Sequence, residues 1–322
     1  MKTLKKFAHV DAKTIDEAAS ILRTNKAAII SGGTDLLGAL RFEILPTNTY
    51  PETLVNLKSI PGLDYIKEEG GMLKIGALTR LEDIAKNKLI QTKYTALAEA
   101  AHRTATPHIR EMGTLAGNIC QLNRCWYFRS PDNRFNCIRK GGKTCYAMAG
   151  DNRYHSIFGA VKMCLAVNPS DTAPALVALN AKIKTNKALI EAEKFWDMNV
   201  PASTILAADE IVTEIQIPAP AAGVKSAFIK FAIRKSIDFP IVNCAAMVGG
   251  GNARICLNAV HNRPYRATAA EDAIKGKPIN ETNADAAGAA AVATAKALPG
   301  DRNKWKIPIA KAMVKRAILA CT

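Results

Sequence analysis

Five of the eight cysteines crowd one stretch, with Cys120, Cys125, Cys137, Cys145 and Cys164 spaced C-x4-C-x11-C-x7-C-x18-C. Thiols at this density could ligate a metal or an iron–sulfur cluster. Disulfide frameworks belong mainly to small secreted domains, and this chain has 322 residues. The spacing lacks the paired C-x2-C of zinc ribbons, so zinc is open but not favoured. Around the thiols stand Arg124, Arg129, Arg134, Arg139, Lys140, Lys143, Arg153 and Lys162, opposed only by Asp132 and Asp151. Four thiolates carry more negative charge than an iron–sulfur core neutralises, and nearby cations and N–H donors stabilise such a cluster. Gly141-Gly142, close before Cys145, would let backbone amides approach the sulfurs. Buried free cysteines are the alternative, although those normally sit in apolar runs rather than a polar, glycine-bearing stretch.

Two glycine segments offer different chemistry. Ile30-Ser31-Gly32-Gly33-Thr34-Asp35-Leu36 reads as a strand, a tight turn, a hydroxyl and a carboxylate. Successive amides in such a turn form an anion-binding nest, suited to a diphosphate, with Ser31 and Thr34 as added donors. It is neither a GxGxxG fingerprint nor a Walker P-loop, and ordinary turn chemistry explains the same residues. The second segment runs from Thr106 to Asn118, where Gly113 and Gly117 bracket a turn carrying Thr114. His108 and Arg110 read there as a surface loop. Pro169-Ser170-Asp171 precedes an apolar helix, with Asp171 placed as its N-cap.

The elements that must hold these residues alternate between strand and helix. Thr14 and Glu17 form a capping-box pattern before a helical stripe of Ala18, Ile21 and Leu22. Short apolar strands are expected over 27–30, 54–57 and 72–77, with Thr79 capping a helix around 81–85. Residues 210–217 alternate with period two and predict a half-buried strand. Pro218-Ala219-Pro220-Ala221-Ala222-Gly223 reads as a linker. Beyond it strands are expected over 227–232 and 244–248, and helices over 267–275, 283–297 and 309–319. That is an α+β arrangement.

Composition sets limits. Hydrophobic residues are 48% and charged residues 22%, a globular balance. No apolar run approaches the roughly 20 residues that span a bilayer, so no membrane span is expected. The basic start lacks an apolar core, which argues against a secretory signal. A cytoplasmic location follows as the expectation, or a periplasmic one if a partner carries the export signal. The formal charge of +16 fits acidic partners. Without a basic stripe interleaved with aromatics, nucleic acid is not the expected partner.

In family order, SGGTDLL (31–37), IGALTRLEDI (75–84), IREMGTLAGN (109–118), NPSDTAPAL (168–176), EIVTEIQIP (210–218) and KFAIRKSIDFPIVNCA (230–245) resemble the FAD-binding medium subunit of molybdenum hydroxylases. Xanthine dehydrogenases, aldehyde oxidoreductases, carbon monoxide dehydrogenase and 4-hydroxybenzoyl-CoA reductase belong to that family. The resemblance implies an FAD-binding domain of the vanillyl-alcohol-oxidase (PCMH) type over 1–220, with subdomains 1–57 and 58–220. It implies a CO dehydrogenase flavoprotein-like α+β domain over 221–322. FAD would lie between the subdomains. Ile29, Ile30, Ser31, Gly32, Gly33, Thr34, Asp35 and Leu36 would wrap its diphosphate. Thr104, Thr114, Leu115, Ala116, Gly117 and Asn118 would line the other side, with His108 and Arg110 as neighbours. Asp171 would bind the flavin, Val212 would touch the ring, and Lys230 would place a cation near it. Some relatives carry an extra [4Fe–4S] cluster in the interval occupied here by about 119–165. By that resemblance its ligands are Cys125, Cys137, Cys145 and Cys164, with Cys120 outside the set.

The function so implied is an electron-transfer subunit without an acid–base residue of its own. A large molybdopterin-binding subunit would hold the substrate, a small subunit two [2Fe–2S] clusters, and NAD or ferredoxin would be the external partner. The competing readings are a stand-alone FAD-dependent dehydrogenase or oxidase and a zinc-stapled basic nucleic-acid-binding protein. Metal analysis separates them: iron with sulfide, neither metal, or zinc.

Overall fold

The computed structural model of the chain describes residues 3–23, 26–197 and 200–322. Three sheets organise them. The first contains β1 (Ala8–Asp11), β2 (Ala27–Ile30) and β3 (Thr53–Asn56) in the order β1-β3-β2, with both pairings parallel. Parallel neighbours need crossovers, which the helices Ile15–Leu22 and Leu36–Arg41 provide. Ala18, Ala19 and Leu22 bury one helix face against Val55 and Leu57. Thr14 Oγ1 accepts from the Glu17 amide at 3.1 Å, as the capping pattern predicts. The Glu17 carboxylate accepts from the Lys13 amide at 2.7 Å rather than that of Thr14, one residue before the expected position.

The second sheet is antiparallel throughout. It comprises β4 (Ile66–Glu69), β5 (Met72–Gly76), β6 (Lys182–Thr185), β7 (Leu189–Glu191) and β8 (Val212–Pro218) in the order β4-β5-β8-β6-β7. β8 returns late in the chain to lie between β5 and β6, so it closes the long excursion that contains the cysteines. Leu73, Ile75, Ile215 and Ile217 pack from this sheet against Leu97, Leu176, Phe195 and Trp196. The helix expected near residue 81 runs Leu81–Lys86 with Arg80 as its N-cap. Thr79 does not cap it; its hydroxyl donates to the Tyr65 carbonyl at 3.0 Å.

The third sheet holds β9 (Lys225–Phe231), β10 (Val242–Gly249), β11 (Asn252–Asn258) and β12 (Tyr265–Arg266) in the antiparallel order β12-β11-β10-β9. Side chains alternate across a strand, and β10 uses both faces. Cys244 and Ala246 pack on the helices Thr268–Ile274, Glu281–Ala291 and Lys306–Leu319. Ala245 faces the central core with Phe228 and Cys256. The C-terminal sheet is thereby fused to the middle one through shared apolar packing. Among the described residues no helix is long and apolar enough to cross a membrane.

One buried ion pair braces the second glycine segment. Arg110 Nε donates to Glu82 Oε2 at 2.6 Å, with the two side chains 7% and 9% exposed. The Arg110 bond, ahead of the opposing effect of burial, holds the Glu82 carboxyl below its ordinary value of 4.5. A carboxyl depressed on folding stabilises the protein above its unfolded pKa, and that contribution fades as pH falls through the folded one. The wild type should therefore lose stability on acidification below about 4.5, and Glu82→Gln should lose less over the same limb while being less stable at neutral pH. Urea denaturation across the acid range checks the slope.

Candidate functional site

Two loops meet at backbone contact. A Cβ placed on Gly32 would lie 2.1 Å from the Met112 carbonyl oxygen, closer than any side chain allows. Gly33 adopts φ +69°, a conformation glycine takes without strain. Across the contact Ser31 Oγ and Thr114 Oγ1 stand 3.2 Å apart. A Cβ on Gly117 would sit 3.3 Å from Ser31 Oγ. The second loop is pinned to the end of β5, since the Leu115 amide donates to the Thr79 carbonyl and the Ala116 amide to the Ala77 carbonyl. Thr114 Oγ1 accepts from the Gly117 amide at 3.1 Å and caps the helix Leu115–Ile119. The amides of Gly32, Gly33 and Thr34 have no acceptor among the described residues.

These loops form one wall of a cavity of about 630 Å³, within the range of about 300–1,000 Å³ typical of ligand sites. All eight residues from Ile29 to Leu36 line it, with Thr104, Thr114, Ala116, Gly117, Asn118, Asp171 and Val212. Four predicted residues do not. Leu115 is fully buried in the central core. His108 is exposed on the helix Pro107–Arg110. Arg110 is occupied by Glu82 and by the carbonyls of Thr104 and Ala105, so it supports the Thr104 segment. Lys230 lies behind the wall, where Nζ donates to Asp171 Oδ2 at 2.7 Å and to the Arg103 carbonyl at 2.9 Å.

Both acids singled out by sequence hold the chain together. Asp171 does not cap the helix Thr172–Ala178, for its carboxylate accepts from Lys230 Nζ and Asn243 Nδ2, each at 2.7 Å. Burial raises its pKa, and Lys230 and Asn243 oppose the rise. Ser170 does the capping instead, accepting from the Ala173 amide at 3.1 Å. Asn118 Oδ1 accepts from Ser170 Oγ at 2.5 Å and Thr172 Oγ1 at 2.7 Å, tying the second loop to this helix. Asp35 accepts from Arg124 at 2.6 Å, Arg129 at 2.7 Å and the Leu122 amide at 3.0 Å, so it anchors the start of the cysteine stretch.

Sequence reasoning missed Leu206, Glu210, Ile211, Arg124 and the segment Ile237–Phe239, all of which line the cavity. The last lies within KFAIRKSIDFPIVNCA, so a signal existed at segment level. Ile237 has φ +57°, rare for a β-branched residue. Asp238 pairs with Arg234 and brings Phe239 under the Arg124 guanidinium, 4.4 Å from the ring centroid. Glu210 is occupied by the Thr185 hydroxyl and the Ala207 amide. The donor set suits FAD: free amides in the glycine turn for a diphosphate, and apolar walls such as Ile30, Leu57, Leu78 and Ile211 for a flat ring.

The cysteine stretch has its own small cores. Cys125, Cys137 and Cys164 pack together with Ala39, Ile44, Phe128 and Ala166, and Cys145 lies in a neighbouring cluster with Ala147, Leu165 and Leu298. Tyr127 and Ile138 pack against both. The Ile138 amide donates to the Thr144 carbonyl and brings the Cys145 segment alongside Cys137. Among the described residues no three His, Cys, Asp or Glu side chains converge as metal ligands. Backbone amides nevertheless point at two of the sulfurs, although burial itself favours the neutral thiols. Burial pushes the Cys125 thiol up to about 12 against the pull of the Phe128 and Tyr127 amides, and the Cys164 and Cys137 thiols add to the rise. The Arg139 and Lys140 amides serve Cys137 in the same way, and the buried Lys140 Nζ has no hydrogen-bond partner among the described residues. The expected role for Gly141-Gly142 differs: the Gly142 amide donates to the Cys137 carbonyl and closes the loop, where a Cβ would lie 1.9 Å from the Asn136 carbonyl oxygen. Cys120 lines the large cavity instead. His155 Nε2 stands 3.2 Å from Cys125 Sγ. Burial, reinforced by Lys306, drives that imidazole down to about 4.

Residues 5–220 match the family described as the FAD binding domain in molybdopterin dehydrogenase, and residues 227–321 the CO dehydrogenase flavoprotein C-terminal domain. The chain is 32% identical over 279 residues to the aldehyde oxidoreductase FAD-binding subunit PaoB of Escherichia coli, spanning 83% of this chain and 86% of that one. It is 26% identical over 325 residues to the carbon monoxide dehydrogenase medium chain of Hydrogenophaga pseudoflava, spanning 98% and 96%. A solved chain of the carbon monoxide dehydrogenase from that organism superposes with a TM-score of 0.77 at 26% identity, covering 99% of this chain and 98% of its own.

Two substitutions test the site. Gly32→Ala should cost about 1–3 kcal/mol through overpacking and abolish retention of FAD, while Gly38→Ala, whose Cβ meets nothing within 4 Å, should leave both intact. Thermal unfolding and flavin absorbance read the two effects. Lys230→Met should cost about 3–5 kcal/mol by leaving Asp171 buried and uncompensated, and the double variant Asp171→Asn/Lys230→Met should recover much of that in a denaturation cycle.

Proposed function

Because this chain belongs to the FAD-binding family of molybdopterin dehydrogenases, we propose that it is the flavin subunit that carries electrons for a multi-subunit molybdenum hydroxylase. FAD occupies the cavity between the glycine loops and the segment Ile237–Phe239. The single observation that carries this reading is the contact of Gly32 with the Met112 carbonyl, beside which three residues with unpaired amides line one cavity. Those amides take the diphosphate, with Arg124 as the cation on the lining. Ile211 and Val212 give the ring an apolar seat. Asp171 meets the flavin with its position fixed by Lys230 and Asn243.

When bound, the flavin supplies the hydride and one-electron chemistry. The protein's contribution is binding, orientation and exclusion of water. The cavity carboxylates Asp35, Asp171, Glu210 and Asp238 are each engaged within the chain, which favours a transfer subunit over a stand-alone dehydrogenase that needs a free acid or base. In this reading a large molybdopterin subunit holds the substrate and a small subunit with two [2Fe–2S] clusters faces the flavin. NAD or ferredoxin is the external partner. Cys125, Cys137, Cys145 and Cys164 hold an additional [4Fe–4S] cluster. Support for that set comes from the shared packing of three of the thiols, the amides at Cys125 and Cys137, and the unpaired Lys140 cation. Asp35, joined to Arg124 and Arg129, links the proposed flavin turn to the cluster segment.

Anaerobic purification with flavin, iron and sulfide quantitation tests the assignment. About one FAD with about four iron and four sulfide per chain is the expected result. FAD without iron removes the cluster, and no FAD after reconstitution removes the flavin reading.

A further inference from the structure

We propose that His155 donates a hydrogen bond from Nε2 to the Cys125 sulfur of the assembled cluster and thereby raises its reduction potential. This rests on the cluster reading above. Both side chains are buried, His155 to 3% exposure and Cys125 to 9%, and Nε2 lies 3.2 Å from Sγ. The other ring nitrogen, Nδ1, is buried without a hydrogen-bond partner among the described residues. The thiol sulfur is therefore the ring's polar contact. A sulfur bonded to iron carries no proton, so the hydrogen in this contact must come from Nε2.

The main chain at His155 is held by the C-terminal part of the chain. Lys306 Nζ, at the start of the last helix, donates to the carbonyls of His155 at 3.0 Å, Tyr154 at 3.1 Å and Ala259 at 2.7 Å. Asn303 Nδ2 adds a bond to the Ser156 carbonyl at 2.9 Å. The Ser156 amide donates to the Leu165 carbonyl at 3.0 Å, next to Cys164. His155 thus joins the C-terminal sheet and its helices to a proposed ligand. A donor aimed at a cluster sulfur withdraws negative charge and favours the more negative, reduced state.

The test compares wild type, His155→Leu and His155→Gln as purified holoprotein. Iron and sulfide content and the cluster's midpoint potential, from a redox titration followed by electron paramagnetic resonance, are the readouts. The expected result is a lower potential in His155→Leu, with Gln nearer the wild type because it keeps a donor. If Leu prevents cluster assembly and Gln permits it, the donor role also stands. An unchanged potential in His155→Leu overturns the inference alone, as do equal shifts in both variants or loss of the cluster from both. A wild type without iron and sulfide overturns the cluster reading and the inference with it.

Discussion

The site depends on one steric constraint, the meeting of Gly32 with the Met112 carbonyl. A side chain at position 32 would force the first parallel sheet away from the loop that caps the antiparallel one. With no Cβ there, the chain brings two turns from different sheets to backbone contact. Ser31 and Thr114 face each other across it, and the amides of Gly32, Gly33 and Thr34 find no acceptor among the described residues. Each loop has its own strand behind it, β2 for the first and β5 for the second.

Charge performs a different task from the one its position in sequence suggests. Asp35 and Asp171 border the cavity, yet their carboxylates are engaged by Arg124, Arg129, Lys230 and Asn243. They act as struts that join the glycine turn to the cysteine segment and the central core to β9 and β10. The buried Asp171–Lys230 pair adds little net stability but makes the loss of either partner expensive. The mutual position of sheets and cavity is therefore fixed by ionic contacts as well as by the apolar packing of Phe228 and Ala245 on the central core.

Much of this was legible in the residues. The glycine turn and the Thr114–Asn118 loop followed from local signals, as did the α+β class and the capping of the first helix by Thr14, while Thr104 and Val212 came only with the family resemblance. Local signals failed where a long-range partner decided the outcome. Arg110 reads as a surface cation, but Glu82, far away in sequence, buries it. Asp171 looks like a cap because the two residues that claim it lie beyond position 225. Lys230 is displaced from the cavity surface for the same reason. β4 was missed because Ile66–Glu69 carries three exposed residues out of four and takes its order from β5. His155 gave no signal at all, since only folding brings it to Cys125.

Hydrogen–deuterium exchange with and without FAD tests the central claim most directly, because amide protection reports local bonding residue by residue. Slowed exchange is expected on FAD addition in 31–36 and 114–118 together, with the amides of Gly32, Gly33 and Thr34 changing most. Bound FAD that leaves 31–36 unprotected would contradict it and place the flavin elsewhere on the chain.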